Sequence, residues 1–289
     1  MRVSQCLAAV RKAISGVADD AVLTRAAAVA FYSALSFAPL MVLLLWVLSA
    51  LRPEWQGQLT AGLAEILGDK AAGAITLVLQ NAKSTPTLGN IAGVAGLAIT
   101  LFSASAVFAQ LQNALNAIWD IRAKPGKAVT AWLWARARAI ALVVGVAFLL
   151  IVSFVVSTLI RIVVPADSLI WIGIERVISL LVFIAAFGGM YQVLPDAHIP
   201  WADAWRGALL TTLLFIAGKY AIDVYIRHAS VGSAYGPAGA LVVLLIWVYY
   251  ASTIVLVGAE LTHGLTLARG QAVKPEPHAV RSKRGKGPD

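Results

Sequence analysis

The sequence has a single cysteine, Cys6, in 289 residues. One cysteine excludes an internal disulfide and any all-cysteine metal site or cluster. Histidine is as sparse: His198, His228, His263 and His278 lie in four separate segments. There is no H-E-x-x-H, H-x-H or D-x-D to gather a cation and make a nucleophilic water. No glycine-rich phosphate loop and no G-x-S-x-G elbow occur, and no RNA-binding module with stacked aromatics is present. No catalytic, cofactor-binding or metal-binding residue is therefore expected, no cofactor, no enzyme activity and no nucleic-acid partner. Charge itself is thin, at 13% of residues, about half the share in a soluble chain.

What is abundant is apolar surface. Hydrophobic residues make up 60% of the chain, and mean hydropathy is +0.82. A soluble domain of this size has nowhere to hide that surface, whereas a bilayer removes the need. The first 25 residues are polar and charged, so no cleavable leader is expected, and the apolar run that follows is longer than a leader's. A spanning helix needs about 20 apolar residues. Charge-free runs near that length predict an all-α membrane protein with spans at 26–51, 89–110, 139–162, 169–194, 207–227 and 238–265. The fifth contains Lys219 and Asp223. Four apart on a helix, they share a face and can pair, which is cheaper in lipid than two lone charges.

Basic residues set the orientation. Arg2, Arg11, Lys12 and Arg25 precede the first span; Arg122, Lys124, Lys127, Arg136 and Arg138 follow the second; Arg206 follows the fourth; six more lie after the last. The opposite loops hold Arg52, Lys70, Lys83 and Arg227. Positive-inside asymmetry then places both termini in the cytoplasm, with anionic headgroups as a partner. Residues 1–25 form an amphipathic cytoplasmic segment, with Val3, Leu7, Val10, Ile14 and Val17 at helical spacing. The outer loop 52–88 carries two short amphipathic helices. The tail 269–289, rich in proline, glycine and basic residues, is expected to be disordered. Residues 26–268 make up the transmembrane domain.

Four stretches carry a resemblance. AAAVAFYSALSFAPL (26–40), LFSASAVFAQLQNALNAIWDI (101–121), YQVLPDAHIPWADAWRGALL (191–210) and YGPAGALVVLLIWVYYASTIVLVGAEL (235–261) resemble, in order and spacing, the YihY/BrkB family of bacterial inner membrane proteins. The resemblance covers roughly residues 20–265. It implies the same six-span arrangement. It implies less about activity, since members have carried ribonuclease, virulence-factor and transporter-like labels.

Polar groups inside spans are the better lead, because they are costly in lipid and tend to face a protein interior or watery cavity. Lys219, Asp223 and Arg227 form a stripe on the fifth span: an ion or headgroup site, or a salt bridge near the outer interface. Glu260 ends the sixth span, as a proton-coupling carboxylate or as an interfacial helix-end residue. Asn113 and Asn116 close the second span at a spacing that allows bonds across helices. Pro39 is a candidate kink or hinge in the first span. Gly89 and Gly93 form a G-x-x-x-G for close helix packing, and Tyr235 and Gly236 begin an outer turn. Three functions remain open: a transporter-like protein for a lipid or amphiphile; a non-transporting envelope scaffold or virulence-associated protein, self-associating or held to an envelope partner; and, through the family label alone, a membrane-associated ribonuclease.

Overall fold

In an apolar medium a backbone must satisfy its own polar groups, and a helix does so within one segment. The chain is accordingly built mostly of helices. The structure is a computed structural model that describes residues 3–49, 106–126, 128–163, 168–228, 239–270 and 273–282. In chain order these form α1 (Val3–Asp19), α2 (Val22–Ser49), α3 (106–118), β1 (Ile121–Ala123), α4 (Ala128–Val163), α5 (Leu169–Val193), β2 (Ala197–His198), α6 (Trp201–His228), α7 (Gly239–Ala268), β3 (Lys274–Pro275) and β4 (Ala279–Arg281).

Helices α2 and α4–α7 lie over the expected segments 26–51, 139–162, 169–194, 207–227 and 238–265. Several run past them: α4 starts eleven residues early, at Ala128, and α6 six early, at Trp201. Charge-counting misses these turns because exposed Trp132, Trp134, Trp201 and Trp205 keep the helix going among charges. Helix α5 begins where Ser168 caps it, its hydroxyl accepting from the Trp171 N–H at 3.1 Å, which relieves one orphan donor of the first turn. Of the second segment, 89–110, only 106–110 are described, within α3. The loop 52–88, with its two expected helices, lies outside the described residues, as do Gly89, Gly93, Tyr235 and Gly236.

Among the described residues two helices, over Gly173–Val193 and Leu241–Ala268, are long and apolar enough to cross a membrane, and only 6% and 22% of their most apolar stretches are buried. The core helix of a soluble protein would be covered. Here Ile170, Val177, Leu181 and Phe183 of α5 lie open, and hydrocarbon is the medium that tolerates them.

The chain divides into two compact units. One comprises Met1–Ala26, Leu111–Tyr220 and Ala251–Asp289; the other comprises Ala27–Gln110 and Ala221–Tyr250. The first holds a core of Val22, Leu115, Ile118, Trp119, Tyr191 and Leu256, with smaller residues around them. In the second, Val29, Ala30, Ser36 and Ile222 are buried.

Within the first unit α6 and α7 meet antiparallel through a reciprocal pair of motifs. Gly207 of α6 abuts Thr262 of α7, and Gly258 of α7 abuts Thr211 of α6. Each threonine is four residues after a glycine on its own helix. Thr211 Oγ1 donates to the Gly207 carbonyl at 2.8 Å and Thr262 Oγ1 to the Gly258 carbonyl at 2.7 Å. The hydroxyls are thus satisfied within their own helices, and the threonine side chains, Oγ1 foremost, fill the space the opposite glycine leaves. Tyr191 of α5 locks this crossing, its hydroxyl donating to the Val255 carbonyl at 2.7 Å and lying 2.8 Å from Thr211 Oγ1.

One expectation about the end of the chain needs correction. The tail 269–289 is not disordered over 273–282. There β4 pairs antiparallel with β1, Ile121 opposite Arg281, and β3 pairs with β2, Ala197 opposite Pro275. Composition points to disorder, but Val273, His278 and Ala279 are buried and the backbone finds strand edges to bond. In α1, Ala13, Gly16 and the following Asp20 are buried, while Ile14 is exposed. Gly16 faces the Glu260 side chain, which occupies the space a Cβ would take there. The two helices turn at Ala21, in the left-handed region at φ 49°, where Arg25 Nε donates to the Asp20 carbonyl at 2.8 Å.

The α6–α7 crossing makes a direct prediction. Gly207→Val or Gly258→Val forces short, stiff side chains apart and should cost about 1–3 kcal/mol. That corresponds to a fall in unfolding midpoint of roughly 2–4 °C per kcal/mol in detergent. Gly145→Ala on α4, where a Cβ meets nothing within 4 Å, should leave the midpoint unchanged. Equal midpoints for all three variants would show that the glycines are not packing residues.

Candidate functional site

Asp196 follows Pro195 directly after α5, and its carboxylate is buried. A buried carboxylate is tolerated only when paired and hydrogen-bonded, and this one gathers donors from three distant parts of the chain. Oδ1 accepts from Arg138 Nη2 of α4 at 2.6 Å and from Gln112 Nε2 of α3 at 3.2 Å. Oδ2 accepts from Asn116 Nδ2 of α3 at 2.8 Å. His278 Nε2, from the turn between β3 and β4, lies 3.0 Å from Oδ1 and 2.9 Å from Arg138 Nη2.

The backbone of Asp196 is held too. Its N–H donates to Asn116 Oδ1 at 2.8 Å, and its carbonyl accepts from the Glu276 N–H at 3.0 Å. Arg138 Nη1 donates to the Pro195 carbonyl at 2.9 Å. Side-chain exposure is 7% for Asp196, 8% for His278 and 15% for Arg138, so the ion pair works largely without solvent screening. The residues from 273 to 282 thus form a strap, fastened at His278 and Glu276 and by the two short sheets.

A second buried acid, Asp203, lies in the first turn of α6 at 1% exposure. It pairs with Arg269, just past the end of α7, and more loosely with Arg206 at 3.4 Å. The antiparallel crossing of α6 and α7 explains the meeting. It brings the start of one helix to the end of the other, where an acid and a base each complement the local helix dipole. A third acid, Glu260, is 3% exposed on α7 and lies against Gly16 of α1. It stands eight residues before the end of the helix, about 12 Å along the axis. One turn on, His263 is also buried, its ring centroid 4.9 Å from that of Trp119.

The candidates named from sequence separate cleanly. Asn116 is buried and bonded across elements, as its spacing suggested, while Asn113 points outward. Glu260 is a deeply buried acid. Lys219 is exposed on α6; the side chains of Asp223 and Arg227 lie outside the described residues, as does that of Pro39, through which α2 runs unbroken. Two of the three side chains of the expected Lys219, Asp223 and Arg227 stripe therefore lie outside the described residues.

Arg138, Asp196, Asp203, Arg269 and His278 escaped the sequence reading. Their signal was faint: Asp196 and Asp203 are two acids in a short segment between spans whose only basic residue is Arg206. Among the described residues no group of three His, Cys, Asp or Glu side chains is placed to hold a metal ion. Between α4 and α5 a shallow apolar groove of about 470 Å³ is lined by Val156, Ile160, Ile170, Gly173, Ile174 and Val177.

The chain is similar in sequence to other proteins over most of its length. Residues 13–283 match the family described as Virulence factor BrkB. A UPF0761 membrane protein of Alkalilimnicola ehrlichii is 29% identical over 85% of this chain and 55% of its own length. One from Alcanivorax borkumensis is 29% identical over 91% and 61%. One from Klebsiella pneumoniae is 31% identical over 72% and 69%. The chain spans about half the length of the first of these relatives. No solved structure matches it.

Removing one partner of a buried ion pair leaves an uncompensated charge and typically costs about 3–5 kcal/mol. Asp196→Ala should therefore lower unfolding stability by about that amount. Adding Arg138→Met to Asp196→Ala should recover a large part of it. Urea or thermal unfolding in detergent measures both. A neutral single variant, or a double variant no better than the single, would show that the cluster does not hold these segments together.

Proposed function

This chain is a membrane protein of the BrkB family, and from that premise we propose that it works as a six-span, transporter-like protein of the bacterial inner membrane. Its substrate is an amphiphile, a lipid being the leading class, and both termini face the cytoplasm. It is not an enzyme and takes no cofactor. The observation that carries this reading is Glu260, an ionisable group 3% exposed on an apolar helix. Such a residue is costly in a membrane protein and is retained where it binds, couples or gates.

Further observations support the reading. The segments expected on the cytoplasmic face (the N-terminal one, the stretch after α3, the loop after α5 and the tail) all contribute to one compact unit. An even number of spans between them returns the chain to the same side each time. Exposed Trp132 and Trp134 near the start of α4, and Trp201 and Trp205 at the start of α6, suit an interface with anionic headgroups. The apolar groove between α4 and α5 is suited to an acyl chain. In this reading the Asp196 and Asp203 clusters seal the cytoplasmic ends of the helices, and Glu260 lies just inside that seal with α1 across it.

The scaffold and ribonuclease readings are weaker. Among the described residues no contact calls for a partner protein, and no hydrolytic constellation stands behind the nuclease label. Purified protein in liposomes of bacterial lipid composition should move a fluorescent phospholipid or amphiphile faster than empty liposomes. Glu260→Gln should slow that movement about tenfold or more, an effect of at least 1.4 kcal/mol on the rate-limiting barrier, without changing yield or midpoint. Movement indistinguishable from empty liposomes across a panel of amphiphiles would sink the proposal. A fully active Glu260→Gln would move the site elsewhere.

A further inference from the structure

Arg138 Nη2, Asp196 Oδ1 and His278 Nε2 form a triangle with sides of 2.6, 2.9 and 3.0 Å. All three are hydrogen-bond distances, yet no protonation state makes all three sides hydrogen bonds. The guanidinium nitrogen only donates and the carboxylate oxygen only accepts, so everything turns on Nε2. With the imidazole neutral and its proton on Nδ1, Nε2 accepts from Arg138, and the side toward Asp196 is a contact between lone pairs. With a proton on Nε2 the histidine donates to Asp196, and two donors then face each other across the side toward Arg138.

We propose that this triangle is a proton-operated latch, which holds the strap 273–282 against the α3, α4 and α5 ends when His278 is neutral and lets it go when His278 is protonated. Charge balance decides the direction. Asp196 is already matched by Arg138, so an imidazolium adds a second positive charge to a buried site with one carboxylate. Burying an unmatched charge is expensive, and one cation leaves. Arg138 is built into a helix of 36 residues, whereas the strap is fastened by strands of two and three residues. The strap is the part that moves. Acidification supplies that second positive charge, so falling pH favours release.

The other charged groups around His278 do not reverse this. Gln112 and Asn116 of α3 are neutral. Lys124, whose N–H donates to the His278 carbonyl at 2.9 Å, and Arg122, whose register partner is Val280, are basic and exposed and add to the positive field. Glu276 on the strap faces His198 at 3.3 Å. That pair tightens on protonation and opposes release, but His198 is 64% exposed and solvent screens it.

The latch rests on this geometry and not on the transport reading, so the two can fail separately. Hydrogen exchange of the full chain in lipid nanodiscs, corrected for intrinsic rates, reads it out through the strap amides of Glu276, Ala279 and Ser282. Protection there should fall about tenfold or more between about pH 7.5 and about pH 5.5, which brackets the ordinary imidazole range. Protection in α5 should stay constant. His278→Gln, a neutral side chain, should abolish the pH response, and His198→Gln should leave it in place or enlarge it. If His278→Gln simply loosens the strap at both pH values, the wild-type response and that of His198→Gln still decide. Strap protection in wild type that is constant or rises on acidification would overturn the proposal. So would a response that vanishes in His198→Gln, or one that persists in a still-fastened His278→Gln.

Discussion

The Asp196 carboxylate is the constraint around which one end of this protein is arranged. A carboxylate removed from water needs its lone pairs filled and its charge matched. No single helix can do both. Asp196 takes amides from α3, a guanidinium from α4 and an imidazole from the strap, while its own backbone is clasped by Asn116 and Glu276. Satisfying one residue thereby ties four segments together. Apolar packing between spans cannot supply that specificity, because lipid tails compete on equal terms with Leu and Val. Polar groups at the helix ends and small residues along the helices remain, and the chain uses both.

The small residues act through the crossing of α6 and α7. Glycine facing threonine, twice and in opposite senses, lets two backbones approach closely without leaving a hydroxyl unsatisfied. The same antiparallel register delivers Asp203 to Arg269. The helix crossing and the second ionic cluster are therefore one feature: the crossing sets the register, and the register makes the ion pair. Tyr191 ties α5 to both helices, and five residues later the chain reaches Asp196. Packing along the helices and charge at their ends thus share a few positions between Tyr191 and Thr211.

How much of this was legible from sequence follows from range. Charge-free runs are local, so α2, α5 and α7 could be placed to within a few residues, and Asn116 could be singled out from its spacing. Arg138 and His278 lie 58 and 82 residues from Asp196, and no local pattern joins them. The strap shows the opposite error. Proline, glycine and lysine from 274 onward read as disorder, because composition registers a segment's own preferences and not the strand edges that β1 and β2 offer it. Lys219 was the reverse: conspicuous in sequence as a charge within an apolar run, yet exposed on α6.

The bilayer changes which residues are informative. In a soluble protein an exposed leucine says little and a buried one defines the core. Here α5 leaves most of its apolar surface open, and the informative residues are the few acids. Asp196, Asp203 and Glu260 are each below a tenth exposed, in a chain with only 14 acidic residues. The first two are matched by arginines and fix structure. Glu260 lies further along α7 than the Asp203–Arg269 pair at its end, against a glycine whose missing Cβ makes room for its carboxylate. A chain that needed only an apolar helix at this position would be more stable with leucine there. Helix α1 instead carries no side chain at Gly16, where the Glu260 carboxylate lies, and the proposed function turns on that acid.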